Sequence, residues 1–265
     1  MFNFSRFKSF FSSRLPDGLL PIDSYSPNDV FIVGYPKSGN VWMQYMMMSI
    51  IFGLNPESVS DTLVQDLVPC VHVRSWYRRY GSSVYFRSHS LPDPRYKTVI
   101  YLVRDGRDVM VSYLHHLQAL ERREIDFLKL AQTGEGLFLA KWHEHVESWL
   151  ANPYQSKIIL VKYEVLKSDT VCELKRICDF TGLKPSDETL DRVAVQASFE
   201  ALRRREAQFG WDNSQWPKDK PFVRRGAVGS YQDEMPPDVL AAFLTEANET
   251  LEKLGYLTPE PAVSP

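Results

Sequence analysis

A lysine stands at the centre of the most chemically suggestive stretch of the chain, Val30-Phe-Ile-Val-Gly-Tyr-Pro-Lys-Ser-Gly-Asn-Val-Trp42. The apolar residues Val30 to Val33 read as a short buried strand. Gly34, Pro36 and Gly39 break it, and the apolar run Val41 to Leu54 then reads as a helix. Strand, glycine-containing turn with a lysine, and helix form the arrangement that holds a phosphate. The N–H groups of the turn and of the helix start face the anion, and Lys37 adds a point charge. Lys37 precedes Gly39, whereas the G-x-x-x-x-G-K-[ST] loop places its lysine after the second glycine. An ordinary ATP-hydrolysing loop is therefore disfavoured.

Two further stretches carry residues suited to a phosphate. In Tyr101-Leu-Val-Arg-Asp-Gly-Arg-Asp-Val-Met-Val-Ser-Tyr113 a strand delivers Arg104 to its C-terminal edge, and the helix that follows carries Ser112. Arginine reads a terminal phosphate well because its fork bonds two oxygens at once. A serine hydroxyl can add a third bond. Asp105, Arg107 and Asp108 read as helix-start charges and ion pairs. In Phe222-Val-Arg-Arg-Gly-Ala-Val-Gly-Ser-Tyr231 two arginines precede a glycine in a polar loop, which could wrap a phosphate with side chains and main chain together. A fourth stretch supplies a titratable group: Val84-Tyr-Phe-Arg-Ser-His89 reads as a strand with Arg87 and His89 near its C-terminal end. In open α/β sheets that end faces the ligand crevice. Histidine suits proton transfer because its pKa lies near working pH.

The elements that must position these residues alternate. Strands are expected at 30–33, 84–89, 97–103 and 157–163. Helices are expected at 41–54, 104–120, 137–151, 169–182, 186–205 and 237–254. That alternation argues for an α/β fold in three layers, a mostly parallel central sheet with helices on both faces. Residues 55–83 lack clean periodicity and read as a wall or lid over a pocket, and 207–235 read as a polar, aromatic and basic connection. Residues 1–28 read as an N-terminal arm and 256–265 as a mobile tail, all within one domain spanning 1–265.

Composition narrows the function classes. The chain has 265 residues, 44% of them hydrophobic, which suits a large core and excludes a disordered protein. The formal charge of −2 gives no global basic field for nucleic acid or an anionic membrane, so an anion site must be built locally. Cys70, Cys172 and Cys178 form no C-x-x-C pair, so a reducing, cytoplasmic setting is expected. No apolar run approaches the roughly 20 residues that cross a bilayer. The Phe-rich stretch Met1 to Arg14 lacks the continuous apolar region of a secretory signal. It reads as a helix packed on the domain, with a weak surface anchor as the alternative.

Taken together, these stretches resemble the motifs of the sulfotransferases that use PAPS (3′-phosphoadenosine 5′-phosphosulfate). Pro36-Lys37-Ser38-Gly39-Asn40-Val41-Trp42 is similar to the family's Pro-Lys-Ser-Gly-Thr-Thr-Trp loop for the 5′-phosphosulfate, with Asn40 and Val41 in place of two threonines. Arg104 to Ser112 resembles its 3′-phosphate motif, and Arg224-Arg225-Gly226 resembles its C-terminal Arg-Lys-Gly. The resemblance implies that Arg104, Ser112, Arg224, Arg225 and Gly226 hold the 3′-phosphate. Tyr163, in a Tyr-Glu pair at the end of the 157–163 strand, would hydrogen-bond the purine. Ala197-Ser198-Phe199 resembles a Thr-Ser-Phe element in which Phe199 stacks on the ring. Arg87-Ser88-His89 resembles the cytosolic family's Lys-Thr-His, which implies His89 as the general base and Arg87 beside the transferring sulfuryl group. PAPS would be the co-substrate, PAP the product, a small-molecule hydroxyl or amine the acceptor, and no metal would be needed. Gln232-Asp-Glu-Met-Pro236 does not match the family's dimer segment, so no dimer mode is carried over.

Alternatives stay open at this level. They are a carbohydrate or glycolipid sulfotransferase on the same fold, a non-catalytic PAP-binding protein, and a P-loop nucleotide kinase. His143 and His145 lie two apart, on different helix faces, and His115-His116 also diverge, so neither pair reads as a metal site. Arg203-Arg-Arg205 reads as a solvated helix face and Met46-Met-Met48 as core. Residues 55–83, 113–120 and 205–222 are expected to line the acceptor pocket.

Overall fold

The computed structural model describes residues 16–210 and 216–257. The expectations for the Phe-rich N-terminus, and for the tail beyond residue 257, lie outside the described residues. The chain order is β1 (Leu19–Pro21), β2 (Val30–Gly34), α1 (Asn40–Phe52), a 3₁₀ turn at Pro56–Ser58, α2 (Asp61–Leu67), β3 (Trp76–Arg78), β4 (Tyr85–Ser88) and β5 (Thr98–Val103). Then come α3 (Gly106–Glu121), α4 (Phe127–Thr133), α5 (Trp142–Ala151), β6 (Lys157–Lys162), α6 (Tyr163–Ser168), α7 (Thr170–Thr181), α8 (Asp187–Gln196), α9 (Phe199–Phe209), α10 (Tyr231–Glu234) and α11 (Pro237–Lys253).

Four strands form a parallel sheet in the order β4-β2-β5-β6. Every residue of β2 is buried, as a central strand covered on both faces requires. Its side chains alternate: Val30 and Ile32 enter one core, Phe31 and Val33 the other. On the Ile32 side lie the methionines of α1, with Leu174 and Ile177 of α7 and Leu190 and Val193 of α8. On the Phe31 side lie Val109 of α3, Trp142 and Trp149 of α5, and Phe243 and Leu251 of α11. The expected three-layer architecture is therefore present. Parallel pairing also carries the C-terminal ends of β2, β4 and β5 to one edge of the sheet, and the residues after them emerge together.

Several elements depart from the sequence reading. Leu19–Pro21 pairs antiparallel with Trp76–Arg78, so the described end of the presumed arm is a strand of a small second sheet. Phe127–Thr133 is a helix that was not expected, and the helix expected from residue 137 begins at Trp142. The helix expected over 186–205 is two helices. The break falls at Ala197, and the Ser198 hydroxyl accepts from the N–H of Ala201 to start the second. Arg205 is not on a solvated face: it is 2% exposed and pairs with Asp61 at 2.8 Å. Met46, Met47 and Met48 are core, as expected.

Candidate active site

Between β2 and α1 the main chain turns through two left-handed residues, Lys37 (φ 75°) and Gly39 (φ 99°), on either side of Ser38. Left-handed backbone at a residue with a side chain is uncommon and clusters at functional sites. Alternating hand also builds a main-chain concavity for an anion. Gly39 caps α1 without any side-chain bond to the first-turn amides, which leaves the helix N-terminus available as an anion site. Gly39 is glycine for a second reason: a Cβ there would meet Tyr163 Cδ2 at 2.8 Å.

A cavity of about 490 Å³ opens on this loop, within the range of small-molecule sites. Lys37, Gly39, Asn40, Val41, Trp42, Arg87, His89, Arg104, Ser112, Tyr163, Ser198, Phe199, Arg224, Arg225 and Gly226 all line it. Of the residues expected at the site, only Ser38 lies behind the wall, fully buried, its hydroxyl without a partner among the described residues. The stretches expected around an acceptor are placed unevenly. His116, Arg205, Glu206 and Phe222 line the cavity, but no residue of 55–83 does. That stretch instead contains α2 and the β3 edge.

The cavity is strongly cationic. Burial lowers the Lys37 ammonium to about 8, and the guanidiniums of Arg104, Arg224 and Arg87 push in the same direction. Its Nζ rests 4.5 Å from the centre of the Phe222 ring. Arg104 is buried; its Nη2 donates to the Ala227 carbonyl at 2.8 Å and its Nη1 to the Lys37 carbonyl at 3.4 Å. It thereby ties the loop after β2 to the loop before α10. Its guanidinium lies 4.5 Å from the Tyr163 ring centre. The Nε atoms of Arg104 and Arg87 are buried without a partner among the described residues.

The loop that carries Arg224 and Arg225 is held by three carboxylates, of which Asp108 alone reads in the sequence as a charge, one at a helix start. Asp108, fully buried, accepts from Gly229 N at 2.8 Å, Tyr231 N at 3.0 Å and Ser230 Oγ at 3.2 Å. Glu206 accepts from Phe222 N and, at 2.9 Å, from Val223 N. Glu234 receives Arg224 at 2.6 Å, Arg225 at 2.8 Å and His115 at 2.8 Å. Burial works against ionisation of Glu234, but the bonds from Arg224 and His115 outweigh it and lower the carboxyl to about 2. Nearby, the Tyr163 hydroxyl donates to the Gly226 carbonyl at 3.2 Å, and a Cβ at Gly226 would meet the Phe199 ring at 2.5 Å. Trp42 Nε1 donates to the Ala197 carbonyl at 2.7 Å.

His89 follows β4 directly. Its Nδ1 lies 2.8 Å from the Gly34 carbonyl. A carbonyl only accepts, so Nδ1 carries the proton and Nε2 the lone pair. Asn40 Nδ2 approaches the same Nδ1 at 3.2 Å but spends its two hydrogens on the carbonyls of Gly34 and Tyr35, at 3.1 and 3.0 Å. Asn40 therefore closes the loop, a role threonine could not fill with one hydroxyl hydrogen. Burial and then Arg87 hold the His89 imidazole well below its ordinary pKa, so the ring is neutral with its lone pair on Nε2. Across the cavity, burial and then Lys37 lower His116 to about 3; its ring stacks on Trp216 at 5.2 Å. Among the described residues, no group of three or more His, Cys, Asp or Glu side chains is placed to hold a metal ion, and no helix is long and apolar enough to cross a membrane.

A left-handed loop at a helix N-terminus, a cluster of arginines and a neutral histidine thus meet on one cavity at one edge of a parallel sheet. Comparison with known proteins gives the family. A family profile described as "Sulfotransferase domain" matches residues 27–255. Cytosolic sulfotransferase 1 of Danio rerio is 27% identical over 236 residues, 78% of this chain and 77% of that protein. Sulfotransferase 2A1 of Rattus norvegicus is 27% identical over 236 residues, 81% of each chain. Among solved structures, retinol dehydratase in complex with androsterone and inactive cofactor PAP has a TM-score of 0.69 at 21% identity, covering 89% of this chain and 84% of that one. Mouse sulfotransferase SULT7A1 complexed with PAP has a TM-score of 0.67 at 21% identity, covering 88% and 86%; these two show the shared fold. The profile spans most of the chain, so the chain belongs to the sulfotransferase domain family. It is a sulfotransferase, an enzyme that transfers a sulfuryl group, and the kinase and non-catalytic readings are not favoured.

Proposed function

We propose that this enzyme moves the sulfuryl group of PAPS to a hydroxyl or amine of a small-molecule acceptor, with release of PAP and with His89 as general base. The observation that carries this reading is the convergence, on one cavity, of the Lys37–Gly39 turn, the Arg104, Ser112, Arg224 and Arg225 group, and His89 with its Nε2 lone pair. A nucleotide phosphorylated at two separate positions suits two cationic sites. The buried Arg104 Nε, without a partner among the described residues, is an atom on the cavity wall that a bound anion would satisfy.

PAPS supplies the sulfuryl group and a phosphate leaving group. Lys37, Gly39, Asn40, Val41 and Trp42 would hold its 5′-phosphosulfate through side chains and main-chain amides, with Ser38 bracing the turn from behind through its N–H to the Tyr35 carbonyl at 3.2 Å. Arg104, Ser112, Arg224, Arg225 and Gly226 would hold the 3′-phosphate, and Tyr163, Ser198 and Phe199 would border the adenine. His89 Nε2 takes the acceptor proton as the acceptor oxygen or nitrogen bonds to sulfur. The bond from sulfur to the bridging phosphate oxygen breaks, and Lys37 stabilises the charge that develops there. Arg87 stands on the same strand beside the base and meets charge spread over the sulfuryl oxygens. Positioning and electrostatics do most of the work in such in-line displacements.

The test is direct. PAP should raise the melting temperature more than ATP with magnesium does, and labelled sulfur should pass from PAPS to a member of an acceptor panel. Stabilisation by ATP with magnesium and not by PAP would refute the reading.

A further inference from the structure

His89 is the first residue beyond the β4 ladder, which ends where Ser88 pairs with Val33. Its main-chain N–H and C=O therefore have no strand partner, and two imidazoles take those places. The His89 N–H donates to Nε2 of His72 at 3.0 Å. The His89 carbonyl receives Nε2–H of His145 at 3.0 Å. The tautomers follow from the partners. His72 accepts at Nε2, so its proton is on Nδ1. His145 donates from Nε2, so its Nδ1 accepts from the Tyr101 hydroxyl, 3.0 Å away. Neither His72 nor His145 lines the cavity. Burial, reinforced by Arg87 at His72, lowers each to about 4, so both are neutral in the single tautomer each bond requires.

Resting on the reading of His89 as the base, we infer that His72 and His145, with Tyr101 behind His145, are positioning residues for sulfuryl transfer. They fix the main chain of His89 from both sides, while the Gly34 carbonyl fixes its ring, and so set where Nε2 meets the acceptor. Neighbouring bonds hold the rest of the strand end independently: Trp149 Nε1 to the Ser90 carbonyl at 3.0 Å, and Ser88 Oγ with Tyr96 OH at 3.2 Å. Loss of one imidazole should displace the base without unravelling the strand. A misplacement near 1 Å at a reacting group costs on the order of 100-fold in rate.

The experiment joins kinetics to nitrogen-15 NMR of histidine-labelled full-length protein. With PAPS and 2-naphthol, His72→Phe and His145→Phe should lose roughly 10- to 100-fold in kcat, with PAP affinity within about twofold of the wild type. His72→Gln, which can still accept, and His145→Gln, which can still donate, should recover most of the loss. In the wild type, NMR should place the imidazole proton of His72 and of His89 on Nδ1 and that of His145 on Nε2. A proton on Nε2 of His72 or on Nδ1 of His145 overturns the inference, even if the Phe variants do not fold or 2-naphthol is not turned over. So does an undiminished kcat in both Phe variants, or a loss of PAP affinity that tracks the loss of kcat. If His89→Ala retains turnover, the underlying reading fails. If His89→Ala is inactive while the Phe variants are not, only the positioning role falls.

Discussion

A single methyl group at position 39 should damage both ends of the proposed nucleotide site at once. Gly39 holds φ 99° and ψ 11°, a conformation that costs an L-residue roughly 1–2 kcal/mol. The added Cβ would lie 2.8 Å from Cδ2 and 3.3 Å from Cε2 of Tyr163. That ring cannot step aside freely, because it is buried, its hydroxyl is bonded to Gly226 at 3.2 Å, and Arg104 packs on its face at 4.5 Å. Overpacking of this kind costs about 1–3 kcal/mol. The two terms place Gly39→Ala at roughly 2–5 kcal/mol, and relief by moving Tyr163 would shift Arg104 and release Gly226. Where PAP binding restores the native loop, a cost of about 3 kcal/mol appears as an affinity loss of about 100-fold. Isothermal titration with PAP measures it. Gly53→Ala is the control: Gly53 is also left-handed (φ 69°) but has nothing within 4 Å of a new Cβ. It should lose about 1 kcal/mol of stability and leave PAP affinity unchanged. A folded Gly39→Ala protein that binds PAP within threefold of the wild type would show that the loop and Tyr163 do not need glycine here.

Three further outcomes are expected. Arg104→Gln should weaken PAP by about 2 kcal/mol through lost charge-assisted bonds, roughly 30-fold, and should flatten the salt dependence of binding seen by titration. The pH profile of kcat/KM for PAPS should have an acid limb below the ordinary histidine range, because the lowered His89 pKa keeps the base neutral until stronger acid. The same profile should turn down as pH rises through about 8, where free Lys37 loses its charge; a flat profile from pH 7 to 10 would remove Lys37 from donor capture. Glu234 is depressed to about 2 in the fold, so its stabilising pairs are fully formed above the ordinary carboxylate pKa and are lost as pH falls toward 2. Glu234→Gln should therefore narrow the stability difference between pH 6 and pH 3 in urea titrations, and an unchanged difference would contradict the assignment.

Much of the site was legible because its parts are local. The apolar run before Gly34, the glycine at 39 and the lysine between them announce a turn that the backbone then forms. Arg104 and Ser112 sit at fixed offsets across a strand-to-helix junction, and His89 sits at the end of a β-forming run. Illegible were residues whose roles exist only through tertiary contact. His72 and His145 reach the main chain of His89 from 17 and 56 positions away, and no spacing marks either. Asp108 looked like a helix-start charge, yet its carboxylate gathers three donors from residues 229–231. Arg205 looked solvated because its neighbours are charged, but the helix turns it toward Asp61. The β1–β3 pair has three-residue strands, too short for alternation to register in the sequence.

The central claim is that His89 Nε2 accepts the proton when sulfur is transferred from PAPS, and one measurement addresses it most directly. Wild type and His89→Asn are incubated with PAPS carrying radiolabelled sulfur and a panel of hydroxyl and amine acceptors, with PAP affinity measured alongside. Labelled product is expected from the wild type, with a rate lower by about 100-fold or more in His89→Asn and equal PAP affinity in the two. Transfer by His89→Asn at the wild-type rate would contradict the claim.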